Sequence, residues 1–234
     1  MKPLCCLIAL VTAFLLHLNS AAAEPLEVNM ALNPTVIQDT AYEAFSEDDL
    51  SALRMGVDLR FEVANLGGFK LLPLVGWRIA TDEGYPYQAT NTDLMLNDLF
   101  LGLRVRKGIL SWLGVFIEAQ GGLVWVDIQG NSDVDMYGAL GQRQDYQDNR
   151  LTWSAGGHAG IELQIPKSWL RKRNVRKFNF GGELSAGYIR RGEIDFQPKL
   201  ENGPDNAIQA NTQPWGNLNI SGWTIQIAAN FRFF

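Results

Sequence analysis

The sequence predicts an all-β fold, an eight-stranded antiparallel up-and-down transmembrane β-barrel, and three observations support that prediction. Apolar and polar residues alternate along eight separate stretches. Each stretch is about as long as a tilted strand needs to cross a bilayer, roughly 9–11 residues. The connections between the stretches alternate between long and short, which is typical of a barrel with short turns on one side of a membrane and long loops on the other.

The last stretch shows the alternation most clearly, over 223–233 with the sequence WTIQIAANFRF. Every second residue is apolar, and Thr224, Gln226, Asn230 and Arg232 lie between the apolar positions. A period of two indicates a strand with one apolar and one polar face. Seven rows of the same kind lie upstream, so that the eight predicted strands occupy 26–36, 55–63, 69–79, 95–105, 113–125, 151–163, 178–188 and 223–233.

The predicted connections alternate in length, with long ones first and last. An even number of strands, with both chain ends on the side of the short turns, produces that order. A soluble meander of strands has no reason to alternate its loop lengths so regularly. The predicted connections are 37–53, 65–68, 80–94, 106–112, 126–150, 166–177 and 189–222.

The first 23 residues predict a secretory signal peptide. Lys2 gives a positive start, Leu4–Leu16 is an apolar run, and Ala21–Ala23 offers a cleavage site. We expect its removal to leave 24–234 as a single barrel domain. No later run approaches the roughly 18 apolar residues of a membrane-spanning helix, and both cysteines of the chain lie within the signal.

The charged residues of the strands share the polar register, so apolar rows that face lipid place these charges inside the barrel. An unpaired ion in so narrow an interior costs several kcal/mol, and seven acids face seven bases. Since side chains just fill an eight-stranded interior, we predict a plugged lumen, with a gated narrow channel as the alternative. The predicted interior network contains Glu27, Asp58, Glu62, Asp98, Glu118, Glu162 and Glu183, together with Arg54, Arg60, Lys70, Arg78, Arg104, Arg106 and Arg232.

No catalytic, cofactor or metal site is predicted. His158 is the only histidine after the predicted signal, and its inward register favours a hydrogen-bonded core residue over a catalytic one. The chain has no Gly-x-Ser-x-Gly, no metal-spaced Cys/His set and no phosphate loop. A net charge of -5 argues against a general nucleic-acid binder. We therefore expect a protein that is not an enzyme.

The end of the chain resembles the closing strand of bacterial outer-membrane β-barrels, in which a terminal aromatic is taken as the signal to the barrel-assembly machinery. Phe231, Phe233 and Phe234 carry this resemblance. One departure is that the apolar register runs through Phe233, which leaves Phe234 one step out of phase. With its eight rows and alternating connections, the mature chain is similar to the small OmpA-type, OmpX-type and OmpW-type barrels.

The resemblance implies an exported protein of the cell outer membrane, in contact with lipopolysaccharide and phospholipid and inserted by the assembly machinery. Proteins of that group differ in function. We expect either a structural or surface-interaction barrel, with an extracellular ligand at the loops 126–150 and 189–222, or a narrow OmpW-like channel for small hydrophobic molecules. A soluble lipocalin-like binder is the remaining alternative, which membrane fractionation would separate from the others.

Overall fold

A computed structural model describes residues 26–37, 39, 42, 51–84, 90–132, 144–172, 178–195, 199–200 and 217–233. The predicted signal peptide 1–23 and Phe234 lie outside the described residues. Eight long strands dominate the structure: β1 Leu26–Ile37, β2 Ser51–Phe61, β4 Phe69–Gly84, β5 Thr90–Gly108, β6 Leu113–Ser132, β7 Gln144–Gln164, β8 Phe178–Arg191 and β12 Gly222–Phe233. The shorter elements are β3 Ala64–Leu66, helix α1 Lys167–Lys172, β9 Ile194–Asp195, β10 Lys199–Leu200 and β11 Asn217–Leu218.

The eight long strands close into an antiparallel barrel, which confirms the predicted fold class. Each pairs with the next in the chain, β8 pairs with both β7 and β12, and β12 pairs with β1. The closing register runs from Leu26 opposite Phe233 to Ile37 opposite Gly222. A closed barrel leaves none of these strands with an unpaired edge.

Short turns connect the strands at the end of the barrel that holds the start of β1. The hairpin from β3 to β4 turns at Gly67 and Gly68, whose φ angles are 60° and 88°. Both angles are positive, as a two-residue hairpin turn requires, and glycine adopts them without steric cost. Residues 109–112 join β5 to β6, and α1 lies between β7 and β8. Within the described ranges, no helix is both long and apolar enough to span a membrane.

The two faces of the barrel wall differ sharply in composition. Leu101 is 61% exposed and Ile117 is 62% exposed, and both side chains point outward. Arg60 is 0% exposed and Glu118 is 6% exposed, and both point into the interior. The middle of the barrel is therefore apolar outside and charged inside, the reverse of a soluble protein.

The strands extend further than the sequence predicts, most of all β4, β5, β6 and β7. β4 and β5 remain paired up to Gly84 and Thr92, and β6 and β7 up to Ser132 and Gln144, so the predicted connections 80–94 and 126–150 are wrong in their bounds. The alternation of apolar and polar residues continues in these extensions, but the two kinds of residue exchange faces. Its inward residues become apolar and its outward residues become polar, as Leu94, Leu96, Val126 and Ile128 inside and Asp93, Asp127 and Gln129 outside illustrate.

Two adjacent glycines of β6 test how tightly the wall is packed. A Cβ on the inward Gly122 would lie 2.1 Å from the Leu99 carbonyl oxygen, whereas one on the outward Gly121 has its nearest neighbour at 3.5 Å. We expect Gly122→Ala to destabilise the refolded barrel by about 1–3 kcal/mol, because the backbone must move. Urea unfolding in detergent micelles measures this effect, with Gly121→Ala as the matched control. Equal stability of the two variants would contradict the packing.

Candidate functional site in the barrel interior

The interior is divided along the barrel axis into four zones. The lowest zone, beside the short turns, contains two arginines that each pair with the same two glutamates. Arg106 and Arg232 lie between Glu27 and Glu162. The Arg106 Nη1 is 2.7 Å from Glu27 and 3.1 Å from Glu162, and Arg232 lies 2.6 and 2.8 Å from the same two carboxylates. The four residues come from β5, β12, β1 and β7, so three of the four ion pairs join strands that are not neighbours, whereas Glu27 and Arg232 face each other on the adjacent strands β1 and β12.

The second zone is centred on Glu183 of β8. Its Oε1 accepts hydrogen bonds from Arg60 at 2.6 Å, from Arg104 at 2.8 Å and from Asn230 at 3.1 Å. Arg60 also pairs with Asp58 at 2.5 Å, and Arg104 pairs with Glu118 at 2.7 Å. A buried carboxylate shared by two guanidinium groups links β2, β5 and β8 into one network.

The third zone has more arginines than carboxylates. Asp98 accepts from Arg191 at 2.8 Å and from the Ser154 hydroxyl at 3.0 Å, and Arg54 Nη1 lies 3.6 Å from the same carboxylate. Arg78 stacks over the Phe100 ring at 4.0 Å.

Gln120 links Arg78 to His158 in this zone. Arg78 donates to Gln120 Oε1 at 2.9 Å, and Gln120 Nε2 lies 3.3 Å from His158 Nε2. His158 is buried and hydrogen-bonded to an amide, which matches a core role better than catalysis. Within the described ranges, no group of three or more His, Cys, Asp or Glu side chains is arranged to hold a metal ion.

The fourth zone is an apolar cap at the end with the long connections. Tyr42 from the first connection and Ile194, Leu218 and Ile220 from the last pack onto side chains of the strands. Twelve buried residues form this cap: Ile37, Tyr42, Ala52, Ala80, Leu94, Leu96, Val124, Val126, Ile128, Ile194, Leu218 and Ile220.

Polar contacts fix the cap to the wall. The Tyr42 hydroxyl donates to Asp82 Oδ2 at 2.5 Å. Burial and this carboxylate raise the pKa of Tyr42, so the phenol stays protonated and keeps donating. The backbone N–H of Asn219 donates to Asp39 Oδ2 at 2.7 Å, and the Arg191 guanidinium donates to the Ile220 carbonyl at 2.9 Å.

The structure brings the sequence-predicted interior residues together. Arg54, Asp58, Arg60, Arg78, Asp98, Arg104, Glu118, Glu162, Glu183 and Arg232 are buried, as are Glu27 and Arg106. Glu62 and Lys70 pair with each other at 2.6 Å at the half-buried lower rim. The outward Phe231 and Phe233 of β12 lie against Phe178, with ring centroids 5.9 and 5.6 Å apart, while Phe234 lies outside the described residues.

Two features of the interior were not predicted from the sequence. Arg191 is buried and paired, yet the prediction placed it in the last connection. Extending the alternation of β8 by three residues would have placed Arg191 in the inward register. The apolar cap was also missed, since its residues come from strand ends and connections that are far apart in the chain.

Comparison with known proteins adds a similarity of overall shape alone. No protein family profile matches the chain, and no curated protein matches its sequence. Among solved structures, Neisserial surface protein A is 9% identical with a TM-score of 0.42, over 89% of this chain and 95% of the other. Ail of Yersinia pestis is 12% identical with a TM-score of 0.43, over 91% and 100% of the two chains.

The outer membrane protease OmpT from Escherichia coli is 8% identical with a TM-score of 0.45, over 92% of this chain and 99% of the other. Identities and TM-scores this low do not bear on what the chain does. The closed eight-stranded barrel is established by its own strand pairing.

Removing the charge at the centre of the second zone tests the network. We expect Glu183→Gln to destabilise the refolded barrel by about 3–5 kcal/mol, because Arg60 and Arg104 lose the carboxylate that they share. Urea unfolding in micelles measures the loss. The control is Arg150→Gln, which breaks the half-buried pair with Asp148 outside the lumen network and changes stability by less than about 1 kcal/mol. Similar losses in the two variants would contradict a stabilising network.

Proposed function

We propose that the chain is an integral outer-membrane β-barrel with a closed lumen, whose role is structural or depends on interactions of its outer loops. This proposal rests on the distribution of side chains across the barrel wall, which is the reverse of that in a soluble protein. Exposed large apolar side chains cover the outside, and the buried ion pairs fill the inside. Such a surface is stable in lipid and unstable in water.

The uncharged belt on the outside matches the thickness of a membrane. Along β6 the outward residues from Leu113 to Trp125 carry no charge, and Asp127 follows. At about 3.3 Å per residue and a tilt of about 40°, this length of strand rises roughly 30 Å, close to the apolar band of about 25 Å in known barrels. Lys107 on β5 marks the lower edge of the belt, and Arg190 on β8 its upper edge.

Aromatic side chains lie near both edges of this belt. Trp77, Trp125, Trp153 and Trp223 are exposed toward the end with the long connections, and Trp112 and Trp169 at the end with the short turns. Indole rings favour the level of the lipid headgroups, where one part of the ring is apolar and the N–H is wet. This placement supports lipopolysaccharide and phospholipid as the partners of the outer surface.

The filled interior supports a structural role over transport. Three zones of cross-lumen ion pairs and hydrogen bonds are followed by the apolar cap, and an extracellular ligand would therefore meet the outer loops rather than the lumen. The aromatic end of β12, at Phe231 and Phe233, is the segment that the barrel-assembly machinery would recognise. The chain is proposed to act without a cofactor and without catalysis.

A second candidate function rests on the apolar cap. Its aliphatic lining differs from the charged zones below and is the surface that a small hydrophobic molecule would meet on entering from outside. A narrow OmpW-like passage would lead such a molecule from the cap sideways through the wall. The cap is built from packed side chains of both strands and connections, so this passage would require the cap to open.

Conductance of the refolded protein in planar bilayers tests the closed lumen. We expect no stable unitary conductance, because ion pairs from opposite strands occupy the lumen. Heat-modifiable gel mobility of the same preparation serves as the control that the barrel is folded. A stable unitary conductance would contradict the closed lumen, and flux of an apolar fluorescent probe into liposomes without conductance would favour the OmpW-like passage instead.

A further inference from the structure

Arg54 is a buried cation that donates no hydrogen bond to any of the described residues. It lies in the inward row of β2, is 1% exposed, and belongs to the third zone of the interior. Its Nε, Nη1 and Nη2 atoms donate no hydrogen bond within the part of the chain that the structure describes. The Asp98 carboxylate is 3.6 Å away, which is too long for a hydrogen bond. A buried guanidinium normally uses most of its five donors.

The Asp98 carboxylate is already engaged by other groups. Its Oδ2 accepts from Arg191 at 2.8 Å and its Oδ1 accepts from Ser154 at 3.0 Å. Arg78 lies on β4, the strand next to the β2 strand of Arg54. It donates to Gln120, and its Nη1 has no hydrogen-bond partner among the described residues. Arg54 and Arg191 therefore share the single carboxylate of Asp98, and Arg54 is the more distant of the two. Among the described residues, Arg54 has no carboxylate to itself.

Polar atoms beside Arg54 also lack partners. Asn33 of β1 is directly opposite Arg54 in the strand register, and both atoms of its amide are unpaired among the described residues. The same holds for Thr35 Oγ1 on β1 and for Gln226 Oε1 on β12. The pairs Leu32–Ile227 and Thr35–Thr224 place Gln226 next to Asn33 across the strands. These four residues, here named the Arg54 cluster, line three neighbouring strands and are each at most 1% exposed.

Leaving such a cluster unsatisfied would be costly. Each unpaired buried polar group costs roughly 1–3 kcal/mol, and an unpaired buried charge costs more. Water would satisfy the amides and the hydroxyl, but it would not neutralise the guanidinium. An anion supplies both the acceptor and the negative charge.

We propose that the Arg54 cluster binds one small inorganic anion of the size of chloride inside the barrel. The Arg54 guanidinium, the Asn33 Nδ2 and the Thr35 hydroxyl supply donors, and rotation of the Gln226 amide turns a further N–H toward the ion. The apolar cap lies above the site and the Glu183 network lies below it. This site is independent of whether the lumen conducts.

Bromide provides a direct probe of the site, because it replaces chloride and scatters anomalously. In crystals of the refolded protein grown in sodium bromide, we expect an anomalous peak in contact with the Arg54 guanidinium. We expect the peak to be absent from crystals of Arg54→Gln. The wild-type crystal tests the site even if this variant does not fold. Anomalous peaks at surface sites only, or non-anomalous density at Arg54 that fits water, would overturn the proposal.

A solution measurement gives an independent test. As sodium chloride replaces sodium gluconate at constant ionic strength, we expect the thermal midpoint of the wild type to rise by several degrees, because a ligand that binds the folded state stabilises it. Arg54→Leu loses this dependence, whereas the control Arg150→Gln, at a half-buried position outside the Arg54 cluster, keeps it. A flat wild-type response, or an equal rise in Arg54→Leu, would contradict the site.

Discussion

The structure depends on the pairing of charges across a narrow lumen. Glu183 of β8 holds Arg60 of β2 and Arg104 of β5, and Glu27 of β1 holds Arg106 of β5. These strands are not neighbours in the barrel, so the ion pairs fix its cross-section in a way that ladder hydrogen bonds alone do not. Because a buried charge that loses its partner is strongly destabilising, the network limits which residues the inner face accepts.

The same wall meets two different environments, and its side-chain pattern changes accordingly. In the belt, the outward residues are apolar and the inward residues are charged, as Leu101 and Arg104 illustrate on β5. Toward the long connections, Leu94 and Leu96 point inward and Asp93 points outward, as in a soluble barrel. The level at which the phase reverses marks where the wall leaves lipid and enters water. The apolar cap is thus the core of a short soluble barrel stacked on a membrane barrel.

Much of this fold follows from a period of two along the chain. Parity alone assigned Arg60 and Glu118 to the inside and Leu101 and Ile117 to the outside, because successive side chains of a strand point to opposite faces. Strand ends were harder to predict. The predicted strands were defined by apolar residues that face outward, whereas near Leu94 the apolar residues face inward.

The contacts across the lumen could not be predicted. The odd or even position of a residue along its strand gives the face on which it lies, but neither its level along the barrel axis nor the strand across the lumen. It therefore places Arg104 inside without identifying Glu183 as its partner. The cap combines Tyr42 with Ile220, which lie in distant connections, and no local pattern joins them. That Arg54 lacks a hydrogen bond among the described residues is likewise apparent only once the partners of Asp98 are known.

The assignment of sides is tested most directly by NMR of the methyl-labelled wild type in lipid nanodiscs containing a doxyl-labelled fatty acid. The outward methyls of Leu101, Ile117, Ile161 and Ile227 are expected to broaden, since they touch lipid. The inward methyls of Leu72, Leu74 and Ile189 are expected to broaden less, because they lie farther from the label. Equal broadening of both sets, or broadening of the inward set alone, would contradict a barrel with its apolar face in the membrane.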